Sequence, residues 1–82
     1  MKKALITGAS AGIGLEFAYQ LAQKNYDLIL VSRNQQKLSE IAQEISSKYK
    51  NINEVLVADL ASKEGIDLVS NKIKQMKILN LL

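Results

Sequence analysis

Thr7-Gly8-Ala9-Ser10-Ala11-Gly12-Ile13-Gly14 lies between a short apolar run, Lys3–Thr7, and a segment of helical periodicity. The run ends at a glycine and reads as a buried strand. After the small-residue turn, Ile13, Phe17 and Leu21 recur at helical spacing, with Ala18 and Ala22 beside them, up to Lys24. The alanines let this helix lie close to a sheet. A strand, a glycine-rich turn and a helix in that order form the frame in which a nucleotide fingerprint has physical meaning. Gly8 permits a sharp exit from the strand. Gly12 lets backbone approach a diphosphate with no Cβ in the way, and Gly14 lets helix and sheet pack closely. The helix start supplies free N–H groups and the positive end of a dipole. Ser10 adds a hydroxyl donor. The alternative is a glycine-rich turn with a purely structural role.

Outward from this stretch, the chain alternates strand and helix. Asn25-Tyr26-Asp27 reads as a turn, with Asn25 suited to a left-handed position after a helix. Leu28-Ile29-Leu30-Val31 is continuously apolar, as a strand buried on both faces should be. The next helix carries Leu38, Ile41, Ala42, Ile45 and Tyr49 on one stripe, with Lys37, Glu40, Gln43, Glu44 and Lys48 on other faces. Residues 54–58 predict a third strand ending at Asp59-Leu60. Ser62 is a good N-cap, and Glu64 and Asp67 suit the start of a helix. Ile66, Val69, Ile73 and Met76 form its stripe, and Gly65 weakens its first turn by about 1 kcal/mol relative to Ala. Residues 77–82 begin a fourth apolar run. The predicted order β-α-β-α-β-α-β implies an α/β fold with parallel strands joined by right-handed crossovers.

At the end of the second strand stands Ser32-Arg33-Asn34. A dinucleotide fold that binds NAD usually places an acidic residue there, on the ribose 2′-hydroxyl. Arg33 instead offers a planar guanidinium suited to a 2′-phosphate, with no acid in the same turn. Lys37, one helical turn later, adds positive charge. The alternative is a solvated surface arginine.

The spacing G-x-x-x-G-x-G preceded by Thr resembles the short-chain dehydrogenase/reductase family, and the match includes Ile13. The resemblance covers all 82 residues but only the N-terminal half of the family's fold. It implies a Rossmann-type doubly wound parallel sheet of strand order 3-2-1-4, with 1–82 as a partial NAD(P)-binding domain. It implies NADP(H) as cofactor, since Ser32-Arg33 is similar to the NADP-preferring members. It also implies that Asp59 accepts a bond from the adenine amine and that the Leu60 backbone lines the ring edge. The alternative for Asp59 is a place in the turn before Ser62.

The family's Asn-Asn-Ala-Gly segment, catalytic Ser and Tyr-x-x-x-Lys pair are not in this chain. Four residues after Tyr19, Tyr26 and Tyr49 come Gln23, Leu30 and Asn53. No catalytic residue is therefore assigned, and the three tyrosines read as packing. The parent reaction implied is hydride transfer between NADP(H) and an alcohol or carbonyl, with the chain by itself inactive. A non-enzymatic nucleotide-binding module or redox sensor is the alternative. Arg33 argues against a methyltransferase domain, and the lack of Gly-Lys-Ser/Thr excludes a P-loop hydrolase.

Composition sets the outer bounds. The chain has 82 residues, 48% hydrophobic and 23% charged, with no Cys, His, Pro or Trp. Disulfides are excluded, a zinc site is not expected, and Ser-His, Cys-His and His-metal chemistry are ruled out. A globule of this mass, 9.1 kDa, buries only about 63% of its unfolded surface. The net charge is +3 without a block of like charges, so no nucleic-acid partner is expected. Met1-Lys2-Lys3 is followed by too short an apolar run for a signal or membrane segment, so a cytoplasmic location is expected. An open fourth strand and a partly covered sheet predict self-association through that edge and face, or marginal stability.

Overall fold

Two apolar strands form the centre of the sheet, and everything else is arranged on them. In the computed structural model, which describes residues 2–75 and 80–81, these are β1 (Lys3–Thr7) and β2 (Asp27–Ser32). With β3 (Asn53–Val57) and β4 (Asn80–Leu81) they make a four-stranded sheet of order β3-β2-β1-β4. All pairings are parallel. The helices α1 (Gly12–Gln23), α2 (Gln35–Tyr49) and α3 (Lys63–Gln75) connect successive strands. This is the doubly wound Rossmann-type order expected from the sequence. Of the expected fourth strand, Asn80 and Leu81 pair with Ala4 and Leu5; residues 77–79 and 82, like Met76 of the α3 stripe, lie outside the described residues.

Side-chain alternation divides the core into two layers. Ala4, Ile6, Leu28 and Leu30 pack with Ala18 and Ala22 of α1 and Leu38, Ile41, Ala42 and Ile45 of α2. Leu5, Ile29 and Val31 point to the other face, against Ala58 and Val69, with Leu56 and Ile73 half-buried beside them. Both faces of β1 and β2 are thus covered, which explains their unbroken apolar runs. A Lys72–Glu54 ion pair ties α3 to β3.

The structure corrects the reading of α1. Its buried residues are Ala18 and Ala22, whereas Ile13 is 75% and Phe17 42% exposed. The small residues mark the face that meets the sheet, because close approach leaves no room for larger ones. The larger side chains belong to a flank. Tyr19 on the opposite flank reaches Glu44 of α2. Helical spacing therefore turns Ile13 and Phe17 away from the Ala18/Ala22 face and from α2. On α3, Val69 is buried but Ile66 is half-exposed, so the apolar stripe there starts later than expected.

Asp27, expected in a turn, is the first residue of β2 and is buried. Its Oδ1 accepts the Ile52 N–H at 2.9 Å, joining β2 to the start of β3. The left-handed Asn25 (φ 70°) follows α1 as expected, and Lys50 (φ 60°) ends α2 in the same conformation. Among the described residues, no helix is long and apolar enough to cross a membrane.

Candidate functional site

Register sets where the loops emerge. Thr7 is opposite Val31, and Ser32 is opposite Val57. Backbone bonds from Ala9 N–H to Val31 O (3.1 Å) and from Ala58 N–H to Ser32 O (3.0 Å) carry the pairing just past the strand ends. Three turns therefore leave the sheet together at its carboxyl end, where open α/β sheets bind ligands.

A cleft of about 520 Å³ lies between these turns, a size that suits a small-molecule ligand. Of the residues singled out from the sequence, Gly8, Ser10, Ser32, Arg33, Asp59 and Leu60 line it. Gly12, Ile13 and Gly14 do not; they form the first turn of α1 beside it.

Each glycine of the turn has its own physical reason. Gly8 and Gly12 adopt φ of 62° and 60°, the left-handed region where a Cβ is strained. A Cβ at Gly12 would meet no protein atom within 4 Å, so the space beside it is open. At Gly14 the constraint is contact: a Cβ would lie 2.2 Å from Gly8 O and 2.9 Å from Thr7 O. Helix and strand touch there, as the sequence suggests.

The three helix starts differ. Asn34 Oδ1 caps α2 by accepting the Lys37 N–H at 3.0 Å, and Ser62 Oγ caps α3 by accepting the Gly65 N–H at 3.0 Å. At α1 the N-cap is Ala11, which makes no side-chain cap, and the first turn holds no acidic residue. Its N–H groups and dipole are therefore left for an anion, which is the donor set that a diphosphate requires. A dinucleotide cofactor fits this end of the cleft.

Ser10 Oγ and Ser32 Oγ are 2.9 Å apart, and Ser32 Oγ also accepts the Asn34 N–H at 3.2 Å. The glycine turn and the Arg33 turn are thereby joined. Arg33 is exposed, held between Ser32 in the strand and the capping Asn34. The cap at Asn34 was not read from the sequence, although Asn just before a helical stripe is a recognisable signal.

On the opposite wall, Asp59 Oδ1 accepts the Ala61 N–H at 2.9 Å, and Asp59 O accepts both N–H and Oγ–H of Ser62 at 3.0 and 2.9 Å. Asp59 is thus part of the turn before α3, and it also lines the cleft. The role of Gly65 was missed. Its backbone lies against Asp59, with Asp59 O 1.8 Å from where a Cβ would stand. Nothing local in the sequence reports that contact.

Outside the cleft, the Tyr19 hydroxyl donates to Glu44 Oε1 at 2.7 Å, and its ring meets Tyr49 edge-on. The bond to Glu44, with burial and the nearby carboxylate charge, pushes the Tyr19 phenol up to about 12. Tyr19 joins α1 to α2.

Comparison with known proteins agrees with this geometry. The sequence pattern of the family described as short chain dehydrogenase matches residues 2–82, and the chain belongs to that family. It is 52% identical over 75 residues to the very-long-chain 3-oxoacyl-CoA reductase of Phaeosphaeria nodorum, covering 89% of this chain and 21% of that protein. It is 57% identical over 64 residues to the protein of the same name from Eremothecium gossypii, covering 78% and 17%. The chain thus spans about a fifth of the length of these curated relatives. Among solved structures, a short-chain dehydrogenase from Sphingobium yanoikuyae in complex with NADPH superposes with a TM-score of 0.95 at 32% identity, over 99% of this chain and 32% of that one. L-sorbose reductase from Gluconobacter frateurii, complexed with NADPH and L-sorbose, gives 0.83 at 34% identity, over 90% and 28%.

Proposed function

From membership of the short-chain dehydrogenase family, we propose that this chain is the NADP(H)-binding portion of a Rossmann domain. The parent reaction is hydride transfer between NADP(H) and an alcohol or carbonyl. The observation that carries the cofactor choice is Arg33 on the cleft wall, joined through Ser32 to Ser10 of the glycine turn, with no carboxylate in its own turn. A guanidinium there forms with a 2′-phosphate the charge-assisted pair that a bare 2′-hydroxyl cannot offer it.

The residues divide the cofactor between them. The uncapped N–H groups of Gly12, Ile13 and Gly14 hold the diphosphate, Ser10 and Ser32 the ribose, and Arg33 the 2′-phosphate. Continuing along the cleft past Arg33, the adenine reaches Asp59 and Leu60. A carboxylate there accepts from the exocyclic amine. The nicotinamide carries the hydride, and the protein binds and orients it. NADPH in complex with the Sphingobium and Gluconobacter structures supports this cofactor. The names of the 3-oxoacyl-CoA reductases favour the carbonyl-reducing direction.

The chain holds no Tyr-x-x-x-Lys pair. A proton donor for a carbonyl oxygen is therefore assigned to no residue here, and the chain alone binds cofactor without turnover. Calorimetric titration of the chain with NADPH and NADH tests the reading. NADPH should bind at least about tenfold more tightly, as expected when one dinucleotide alone completes a charge-assisted pair. Equal affinities would overturn the assignment of Arg33.

A further inference from the structure

Gly65 is the fourth glycine of the chain and the one outside the fingerprint. Placed in the first turn of a helix, it weakens that helix, and its φ is not left-handed. Its reason is therefore contact. A Cβ at 65 would stand 1.8 Å from Asp59 O, 2.5 Å from Asp59 C and 2.8 Å from Asp59 N. All three are backbone atoms, which have little room to move. Gly65 is buried, and the first turn of α3 lies directly against the Asp59 backbone.

Ser62 completes the arrangement. Its hydroxyl donates to Asp59 O at 2.9 Å and accepts the Gly65 N–H at 3.0 Å. Its own N–H donates to Asp59 O at 3.0 Å. The Asp59 carbonyl is thus held by two donors and pressed by Gly65. Its side chain is fixed in turn, because Oδ1 accepts the Ala61 N–H at 2.9 Å. Asp59 lines the cleft together with Leu60 and Ala61, and no hydrogen bond fixes its second carboxylate oxygen among those of the turn. Val69, buried against Ala58, anchors α3 from the other side.

We infer that Gly65 and Ser62 are positioning residues that aim the Asp59 carboxylate at the cleft and so set selectivity for a purine bearing an exocyclic amine. This rests on the cofactor reading above and adds to it the source of base selectivity. The helix on the far face of the sheet, which touches no ligand, decides which base the cleft accepts. A carboxylate fixed at this point rewards an amine donor. It meets a carbonyl oxygen in hypoxanthine with like-signed charge. A site built around such a bond rejects the analogue lacking it.

The test compares NADPH with its hypoxanthine analogue, reduced nicotinamide hypoxanthine dinucleotide phosphate, by calorimetric titration of the whole chain. The wild-type chain should prefer the adenine form by roughly tenfold, the scale of one hydrogen bond to a charged group. Gly65→Ala should reduce that preference to within about twofold, because a displaced carboxylate no longer finds the amine. Circular dichroism checks that the variant is folded. Should Gly65→Ala fail to fold, Ser62→Ala carries the same test, and Ser62→Thr, which keeps the hydroxyl, should retain the preference. A general loss of stability weakens both dinucleotides alike and leaves their ratio unchanged, so the ratio isolates positioning. An unchanged ratio in a folded variant overturns the inference, as does a wild-type chain that binds both forms equally. A wild-type chain that binds neither overturns the cofactor reading itself, and the positioning role with it.

Discussion

Ser10 Oγ and Ser32 Oγ stand 2.9 Å apart across 22 residues of sequence. The bond joins the glycine turn after β1 to the Arg33 turn after β2, so the two arms that would hold a phosphorylated ribose are set relative to each other before any ligand arrives. Ser32 also accepts the Asn34 N–H, which starts α2. Ser32→Ala removes both bonds and Ser10→Ala only one. Urea unfolding should show Ser32→Ala as the less stable, by about 0.5 kcal/mol, the low end expected for the exposed Asn34 bond that only it loses. Both should bind NADPH several-fold more weakly, since the ribose loses a hydroxyl partner.

Arg33→Asp should exchange cofactor preference. The substituted carboxylate repels a 2′-phosphate and accepts from a 2′-hydroxyl. NADPH affinity should fall by more than about tenfold while NADH affinity holds or rises. Titration of both dinucleotides against both proteins measures it. A variant that still prefers NADPH would remove Arg33 from the site.

Gly14 and Gly12 should fail in different ways. An added Cβ at 14 runs into Gly8 O at 2.2 Å, and only separation of α1 from β1 relieves it. Overpacking of this kind costs about 3 kcal/mol, a large share of what so small a domain has. Gly14→Ala should therefore be largely unfolded by circular dichroism. At Gly12 the space is open, and the cost is the strain of φ 60°, about 1–2 kcal/mol. Gly12→Ala should keep its secondary structure and lose NADPH binding, because the new methyl occupies the diphosphate's place.

The contrast between these two glycines also shows what was legible before the structure. Strand–turn–helix order, the unbroken run Leu28-Ile29-Leu30-Val31 and the stripe Leu38, Ile41, Ala42, Ile45 are local patterns, and each is where periodicity places it. What escaped is non-local. The apolar periodicity of α1 does not say which flank the sheet covers, and Ala18 and Ala22 turn out to mark it better than Ile13 and Phe17. Asp27 looked like a turn residue because its partner, the Ile52 N–H, is 25 residues away. Gly65 looked like a weak helix start because the chain folds the turn before α3 back against it, a contact that no periodicity reports. In the cleft, Ser10, Arg33 and Asp59 were readable as types at positions, but the Ser10–Ser32 bond depends on register that no spacing reveals.

Tyr19 supplies a pH signature. Its phenol is pushed from 10.0 up to about 12, first by its bond to Glu44. A folded pKa above the unfolded one means the native state holds the proton more tightly. The stabilisation is complete below pH 10 and is lost as pH rises from 10 towards 12. Unfolding midpoints in urea should fall across that window. Tyr19→Phe should lie lower below pH 10, by about 1 kcal/mol for one exposed bond, and should show a shallower decline above it. Parallel slopes for the two proteins would show that the decline has another source.

Self-association should run through the flank of α1. Tyr19 bonds to α2, while Ile13 and Phe17 of the same helix stay exposed. Phe17 is the larger group and lies outside the cleft lining, so it can be changed without touching the cofactor contacts. Two copies meeting there would remove apolar surface worth about 25 cal/mol per Å² from water. For a domain with so small a core, that is a substantial gain. Light scattering on a sizing column should give a mass above that of one chain at high concentration, falling on dilution. Phe17→Gln keeps helix propensity, removes the aromatic surface, and should shift the chain to the monomer. A wild-type chain that stays monomeric at all concentrations would show that this flank drives no association.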